Sequence, residues 1–136
     1  MQITPPAIFI KNRLNKILHY DLKENERPAT INDGYNMQFS MQKELSKIKG
    51  PIIGHKIGCT TEVMQNYIGV QGPCAGSLYE SEVFSSMSFL RCSRYLNLGV
   101  ECEIAIKLGK NLDKAGASLT FSEVSNALNK VISAIE

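Results

Sequence analysis

The chain has 136 residues, of which 43% are apolar and 21% charged, values close to the average for globular domains. Its formal net charge is +2 and its 15 basic residues are dispersed, which argues against a nucleic-acid-binding or anionic-membrane surface. No apolar run approaches the roughly 20 residues of a membrane-spanning helix, and the first residues lack the features of a secretory signal. We therefore expect a cytoplasmic protein with reduced cysteines.

Two helices are predicted in the first fifty residues. Thr4 before a proline is a typical N-cap, and apolar spacing then predicts a helix up to about Tyr20. Thr30 is the expected N-cap of a second helix, with Asp33 in its first turn, where the helix dipole favours negative charge. The Gly50-Pro51 pair ends that helix.

A strand and a short helix are predicted next. Residues 52–58 are bounded by glycines and favour a strand. Thr60 or Thr61 then begins a helix that ends at Gly69. Residues 69–77 form a glycine-rich loop without the spacing of a phosphate-binding or dinucleotide-binding motif.

The remaining residues indicate further strands and one helix. Residues 83–90 and, more clearly, residues 100–108 predict strands. Thr120 begins a capping box, and a helical apolar stripe extends from there to Val131. Residues 132–136 are expected to begin another strand.

Glu101 and Glu103 are candidate metal ligands. Side chains at positions i and i+2 of a strand point to the same face, about 7 Å apart along the strand, and paired carboxylates suit Mg²⁺ or Mn²⁺. The opposite face, which includes Cys102, is apolar and is expected to be core. The alternative is a half-exposed strand whose outer face is polar without binding an ion.

Lys56 is a second candidate, because it lies between glycines at a strand end, before a helix N-terminus. Small neighbours allow a ligand to approach, and helix amides favour an anion. A solvated surface lysine is the alternative. Cys74 lies in the glycine-rich loop without an adjacent group that would activate it, so we expect an inert thiol.

Several segments, in order, resemble the 2-keto-4-pentenoate hydratase family of the fumarylacetoacetate hydrolase superfamily. The resemblance covers essentially the whole chain and is specific as an ordered set. Its elements are Arg-Pro-Ala-Thr-Ile-Asn-Asp-Gly-Tyr-Asn-Met-Gln at residues 27–38, Gly-His-Lys-Ile-Gly-Cys-Thr-Thr at 54–61, Gln-Asn-Tyr-Ile-Gly-Val at 65–70, Pro-Cys-Ala-Gly-Ser-Leu at 73–78, Val-Glu-Cys-Glu-Ile-Ala at 100–105 and Ala-Ile-Glu at 134–136.

The resemblance implies a mixed α/β (α+β) fold with mostly antiparallel strands. Residues 1–50 would form an N-terminal helical region, and residues 51–136 would form the first part of a β-rich catalytic domain. Family members continue well beyond this point, so we expect an incomplete core and a chain that is poorly stable and inactive on its own.

The resemblance also implies a metal site, in which Glu101, Glu103 and Glu136 would bind Mg²⁺ or Mn²⁺. Lys56 would be the catalytic residue, and Lys56 and Thr60 would bind the substrate. The substrate would be a small 2-oxo acid that chelates the ion, which acts as a Lewis acid while water adds to a conjugated double bond. Such enzymes are lyases of aromatic-compound catabolism, and a homo-oligomer is expected for the full-length protein.

Two alternatives to a hydratase remain open. Cys74 stands where several hydratases have an aspartate proposed to move protons, and a thiol does not simply replace a carboxylate base. A 4-oxalocrotonate-type decarboxylase would use the same metal site. A non-catalytic remnant that only binds a metal or a partner is the second alternative.

Overall fold

The computed structural model describes residues 5–18, 22–85, 87–113 and 118–136. Within these ranges the chain is a mixed α+β protein with antiparallel strands, which confirms the predicted fold class. No described helix is long and apolar enough to cross a membrane. The α-helices are α1 (Pro5–Asn15), α2 (Ile31–Lys49), α3 (Glu62–Ile68) and α4 (Phe121–Ala127); the strands are β1 (Ile52–Gly58), β2 (Cys74–Tyr79), β3 (Cys102–Leu108) and β4 (Leu128–Ile135); 3₁₀ turns occupy Glu24–Glu26, Glu80–Glu82 and Cys92–Arg94.

The chain divides into two compact units, Met1–Leu96 and Asn97–Glu136. The first unit contains α1 to α3 and the pair β1–β2, and the second contains α4 and the pair β3–β4. Each unit thus has its own two-stranded antiparallel sheet.

Helix α1 ends at Asn15, earlier than the sequence predicts, while Thr4 and Tyr20 lie outside the described residues. Lys16 has a left-handed φ of 54°, and the amide of Ile17 donates to the carbonyl of Asn12 at 2.9 Å. This is the hydrogen-bond pattern of a Schellman motif. Because a lysine occupies the position where glycine usually marks this ending, the sequence carried no stop signal.

Helices α2 and α3 begin and end as predicted. Thr30 accepts from the amide of Asp33 at 3.1 Å, and the Asp33 carboxylate accepts from the amide of Thr30 at 3.0 Å. Gly50, with a φ of 82°, follows α2. Of the two candidate threonines, Thr61 is the N-cap of α3, and Gly69 ends this helix in a left-handed conformation.

The strands β1 and β2 pair antiparallel, from Ile52 opposite Tyr79 to Gly58 opposite Cys74. The predicted loop at residues 69–77 is therefore too long, because pairing with β1 makes Cys74 the first residue of a strand. Helix α2 supports β2 at Ala75, whose amide donates to the Tyr35 hydroxyl at 3.1 Å and whose carbonyl accepts from the Gln38 amide at 2.9 Å. The Tyr-x-x-Gln pair thus protects a strand edge.

The first unit packs around Tyr79, which is only 2% exposed. The guanidinium of Arg13 and the ammonium of Lys49 lie 6.0 and 5.8 Å from the centre of its ring, distances at which a cation is attracted to the ring face. The Glu82 carboxylate forms ion pairs with both cations, at 3.4 Å to Arg13. These contacts connect α1, the end of α2 and the turn after β2.

The second unit is built on β3 and β4, which pair antiparallel from Cys102 opposite Ile135 to Leu108 opposite Leu128. Thr120 and Glu123 form the predicted capping box at the start of α4. The helix ends at Ala127, so the prediction of a helix to Val131 is wrong. Pairing with β3 selects a strand there, in keeping with the strand preference of the β-branched residues of β4.

Two further predictions are wrong. The described residues between 83 and 90 form no strand, because none of their backbone enters a ladder with another described strand. Cys102 and its face of β3 are exposed rather than core: Ile104 is 74% and Ile106 55% exposed. Alternation located the face correctly but did not establish what covers it.

Candidate functional site

Glu101 and Glu136 lie directly opposite each other at the end of the β3–β4 pair. The amide of Glu101 donates to the carbonyl of Glu136 at 2.7 Å, and the amide of Glu136 donates to the carbonyl of Glu101 at 2.9 Å. This reciprocal pair extends the strand register by one residue beyond Cys102 and Ile135. In such a pair the Cα atoms are about 5.5 Å apart and the side chains share a face.

Glu103 belongs to the same face as this pair, because it is two residues from Glu101 on one strand. Its opposite residue is Ala134, which is two residues from Glu136. The three carboxylates therefore occupy neighbouring positions on one face, with a small alanine at the fourth.

The three carboxylates do not converge in this structure. Among the described residues, no set of three His, Cys, Asp or Glu side chains is close enough to bind one ion. Glu101, Glu103 and Glu136 are exposed, so changes of side-chain rotamer are needed to direct them at one point. The strand register establishes the shared face, and the ligand set remains a prediction.

The chemistry of these donors fits a hard divalent cation. Carboxylate oxygens are preferred by Mg²⁺ and Mn²⁺, whereas neither histidine nor cysteine is needed. Cys102 lies between the two glutamates of β3, but alternation places it on the opposite face. The face that carries Glu101, Glu103 and Glu136, called the acidic face below, ends at Lys107, opposite Lys130. Lys107 is four residues along β3 from Glu103.

Lys56 lies within β1 of the other unit, opposite Gly76 of β2. A Cβ atom added to Gly76 would lie 3.3 Å from Cγ of Lys56, so the lysine stem crosses the space that the glycine leaves. The exposed lysine is thus positioned on a paired strand rather than on a loop. The sequence did not identify Gly76 as the partner of Lys56, although Gly76 lies in the segment at 73–78 that resembles the family.

Thr60 lies between the end of β1 and helix α3 and is exposed. Its neighbour Thr61 caps the helix, and its side chain accepts from the amide of Met64 at 3.3 Å. The hydroxyl of Thr60 is therefore not required for capping. Its predicted role in substrate binding is compatible with this placement and stays a prediction.

The sequence alone did not place Lys130 and Ala134 on the strand face that carries Glu101, Glu103 and Glu136. Both are on the part of the chain for which a helix or an uncertain strand was predicted. The signal was present: Lys130, Ile132, Ala134 and Glu136 alternate with the intervening residues. The same residues also fit the apolar spacing of a helix, so the sequence pattern was ambiguous there. Pairing with β3 makes the segment a strand.

Helices and two separate two-stranded antiparallel sheets place the described residues in the α+β class. Comparisons with known proteins identify relatives of this chain. No family model matches the chain. It is 29% identical over 115 residues to 2-keto-4-pentenoate hydratase of Paraburkholderia xenovorans (strain LB400), with 85% of this chain and 42% of the relative covered. It is 32% identical over 111 residues to 2-oxo-hept-4-ene-1,7-dioate hydratase of Escherichia coli, with 79% and 39% covered.

A match to a solved structure agrees with these sequence matches. The chain matches 4-oxalocrotonate decarboxylase from Pseudomonas putida G7, complexed with magnesium and adipate, at a TM-score of 0.77 and 25% identity. The match covers 96% of this chain and 49% of the decarboxylase chain. The predicted resemblance is confirmed: this chain is a relative of the 2-keto-4-pentenoate hydratases. It spans about two fifths of the length of the two hydratases named above.

Proposed function

We propose that this chain is part of a divalent-metal-dependent lyase of the 2-keto-4-pentenoate hydratase type. Its reaction would add water to a 2-hydroxy-2,4-dienoate or the corresponding 2-oxo-enoate in aromatic-compound catabolism. The observation that carries the proposal is the reciprocal pairing of Glu101 with Glu136, which brings both carboxylates to the face occupied by Glu103. The hydratase relatives support the reaction class.

Glu101, Glu103 and Glu136 are the proposed ligands of Mg²⁺ or Mn²⁺. When bound, such an ion supplies Lewis acidity toward the oxygens of a 2-oxo acid. The protein contributes three negative charges on two hydrogen-bonded strands, so the separation of their backbones is set by the ladder. The magnesium in the decarboxylase structure supports a divalent cofactor for this group of proteins.

Lys56 is proposed to bind the substrate carboxylate and to act in catalysis, and Thr60 to contribute a hydroxyl to substrate binding. These roles rest on the resemblance of residues 54–61 to the family segment. The strand placement of Lys56 supports them, because a ladder-paired residue with glycine opposite has a restricted range of positions. The proposed setting is a cytoplasmic homo-oligomer of the full-length protein.

A 4-oxalocrotonate-type decarboxylase is the second candidate, and two observations favour it. A solved structure whose match covers 96% of this chain is such a decarboxylase. Cys74, at the start of β2, stands where several hydratases of the resembled family have an aspartate. A thiol does not simply replace a carboxylate base, whereas loss of CO₂ would use the same proposed metal site.

The test uses the full-length gene product with Mg²⁺, a 2-hydroxy-2,4-dienoate and, separately, a 2-oxo-enoate dicarboxylate. Ultraviolet absorbance follows water addition and released CO₂ follows decarboxylation, so the two reactions are read separately. Glu101→Gln removes one proposed ligand charge with little change of shape. We expect at least about a 100-fold loss of metal-dependent turnover, since even partners outside the ligand set typically cost 10–100-fold.

Glu44→Gln is the matched control, because Glu44 is an exposed glutamate that pairs with Lys47 on α2. It should leave turnover unchanged. Equal turnover in the wild type and Glu101→Gln would refute the metal site. Magnesium binding that is lost in Glu101→Gln, in a protein that turns over neither substrate, would support the non-catalytic alternative.

A further inference from the structure

Cys59 and Cys74 lie beside each other where β1 ends and β2 begins. Gly58 is directly opposite Cys74, and Cys59 follows with a left-handed φ of 55°. The two thiols lie close enough for a charge on Cys74 to raise the pKa of the Cys59 thiol. Opposed residues of an antiparallel pair have Cα atoms about 4.5–5.5 Å apart, and a disulfide spans Cα distances of about 4.4–6.8 Å. Cys59 is one residue from such a pair, and its left-handed φ interrupts the alternation that would otherwise turn its side chain to the opposite face.

Contacts on either side hold both cysteines in place. The carbonyl of Cys59 accepts from the side-chain amide of Gln65 at 2.8 Å, which ties the turn to helix α3. The residue after Cys74 is Ala75, whose amide and carbonyl bond to Tyr35 and Gln38 of α2. The two sulfur atoms are therefore presented by fixed backbone rather than by a loop that would have to be ordered first.

The two thiols differ in their accessibility. Cys74 is exposed and Cys59 is half-buried. Burial, followed by the charge of a Cys74 thiolate and the hydrogen bond to it, raises the pKa of the Cys59 thiol above its ordinary value. Because Cys74 is the more exposed of the two, it is the thiol that an external oxidant reaches first. Cys59 is the second thiol to react.

We propose that Cys59 and Cys74 form a reversible disulfide, with a low-molecular-weight disulfide such as glutathione disulfide as the oxidant. The Cys74 thiolate attacks one sulfur of glutathione disulfide, and the glutathione thiolate that leaves takes up the proton released by Cys74. Cys59 then loses its proton and attacks Sγ of Cys74, and the second glutathione leaves as a thiolate that takes up this proton. Two protein thiols are oxidised and one glutathione disulfide is reduced to two thiols.

The bond would close residues 60–73, which contain α3 and Thr60, into a covalent loop. Its formation depends only on the two thiols. Any effect on turnover rests on the proposed function, because Thr60 and Lys56 are the substrate-binding residues of that proposal. Oxidation would restrict the turn that carries Thr60 and leave the acidic residues of β3 and β4 chemically unchanged.

The test exposes the full chain, under native conditions, to glutathione disulfide, followed by alkylation of free thiols and peptide mass mapping. We expect a Cys59–Cys74 cross-linked peptide as the main product, reversed by dithiothreitol. The midpoint of thermal unfolding should rise by roughly 10 °C on oxidation, since closing a loop of about 15 residues constrains the unfolded chain. Cys59→Ser should retain glutathione on Cys74.

Cys92→Ser is the matched control, because Cys92 is another exposed cysteine of the same unit; it should form the link normally. The same reaction in concentrated urea should lose its preference for the Cys59–Cys74 pair. Full alkylation of both cysteines at equilibrium, or a main product that links Cys92 or Cys102, would overturn the proposal. The readout is covalent mass, so an absent hydratase activity does not change it, and an absent disulfide does not change the activity assay.

Discussion

The two strand pairs of this chain have the same antiparallel hydrogen bonding but very different surroundings. The pair β1–β2 has α2 bonded to its edge at Ala75, and its last residue, Tyr79, is 2% exposed. In β3–β4, Ile104 is 74% exposed and Val131 65% exposed on the apolar face. A ladder of backbone bonds is thus sufficient to set register, whereas burial of side chains requires a second layer.

The difference assigns different tasks to the two pairs. An isolated two-stranded pair is marginally stable in water, so β1–β2 with its helices is the stable element of its unit. The pair β3–β4 contributes the acidic face of Glu101, Glu103 and Glu136. A face of like charges weakens the pair that carries it. Binding of a cation is expected to reverse that effect, and the predictions below test this contrast.

The largest expected effect is the loss of Tyr79. Tyr79→Ala removes a buried aromatic ring that contacts two cations, and such truncations typically cost about 3–5 kcal/mol. Because whole domains are stable by only about 5–15 kcal/mol, we expect most of the first unit's cooperative unfolding to be lost. Urea unfolding followed by circular dichroism measures the change.

Tyr67→Ala is the matched control for that prediction. Tyr67 lies on α3 of the same unit and is 85% exposed, so its removal should change the free energy of unfolding by less than about 0.5 kcal/mol. Similar losses in the two variants would show that Tyr79 is not the centre of the unit's packing.

The second prediction concerns magnesium. If the ion binds only the folded acidic face, a concentration of 100 times its Kd stabilises that state by about 2.7 kcal/mol. Hydrogen exchange of the β3 and β4 amides should slow in Mg²⁺, while exchange of β1 and β2 should not change. Potassium chloride at equal ionic strength is the control for screening. Slower exchange across both strand pairs, or in neither, would contradict binding at this face.

Most of the fold was predictable where a local signal decided it. Thr30 with Asp33, Thr61, and the glycines that follow α2 and α3 define helix ends through their own side chains or φ angles. The end of α1 was not predictable, because Lys16 adopts the conformation usually reserved for glycine. The composition there favoured continuing the helix, but the Schellman hydrogen bond from Ile17 to Asn12 ends it at Asn15.

The candidate site was predictable in part for a related reason. Alternation along β3 placed Glu101 and Glu103 on one face without knowledge of any partner strand. Adding Glu136 required the register of β4, which pairs Glu136 with Glu101; the sequence supplied it only through the resemblance. The exposure of Cys102 could not be read from alternation, since periodicity identifies the two faces of a strand but not the layer that covers either.

A smaller effect is expected at the cap of α4. Thr120→Ala removes the hydroxyl that accepts from the Glu123 amide at 3.3 Å and should cost about 1 kcal/mol. Because α4 leads directly into β4, exchange of the β4 amides should speed up while β1–β2 is unaffected. Ser125→Ala, on the exposed side of the same helix, is the control. Equal exchange rates in both variants would show that β4 does not depend on the cap.

The smallest effect is a pH dependence confined to the first unit. Burial, opposed by Arg13 and reinforced by Glu82, raises the pKa of the Tyr79 hydroxyl above its ordinary value of 10.0. The folded state then holds this proton more tightly than the unfolded state. Its contribution to stability is fully present below about pH 10 and is lost as pH rises from there through the folded pKa.

Tyr79→Phe retains the ring and removes the titrating group, so the free energy of unfolding of this variant should fall less steeply between about pH 8 and pH 11. The second unit contains no tyrosine, and local opening of β3–β4 should have the same alkaline dependence in the wild type and in Tyr79→Phe. Parallel pH profiles of unfolding in the two proteins would show that the hydroxyl titrates alike in the folded and unfolded states, and the buried environment of Tyr79 would then have no linkage to stability.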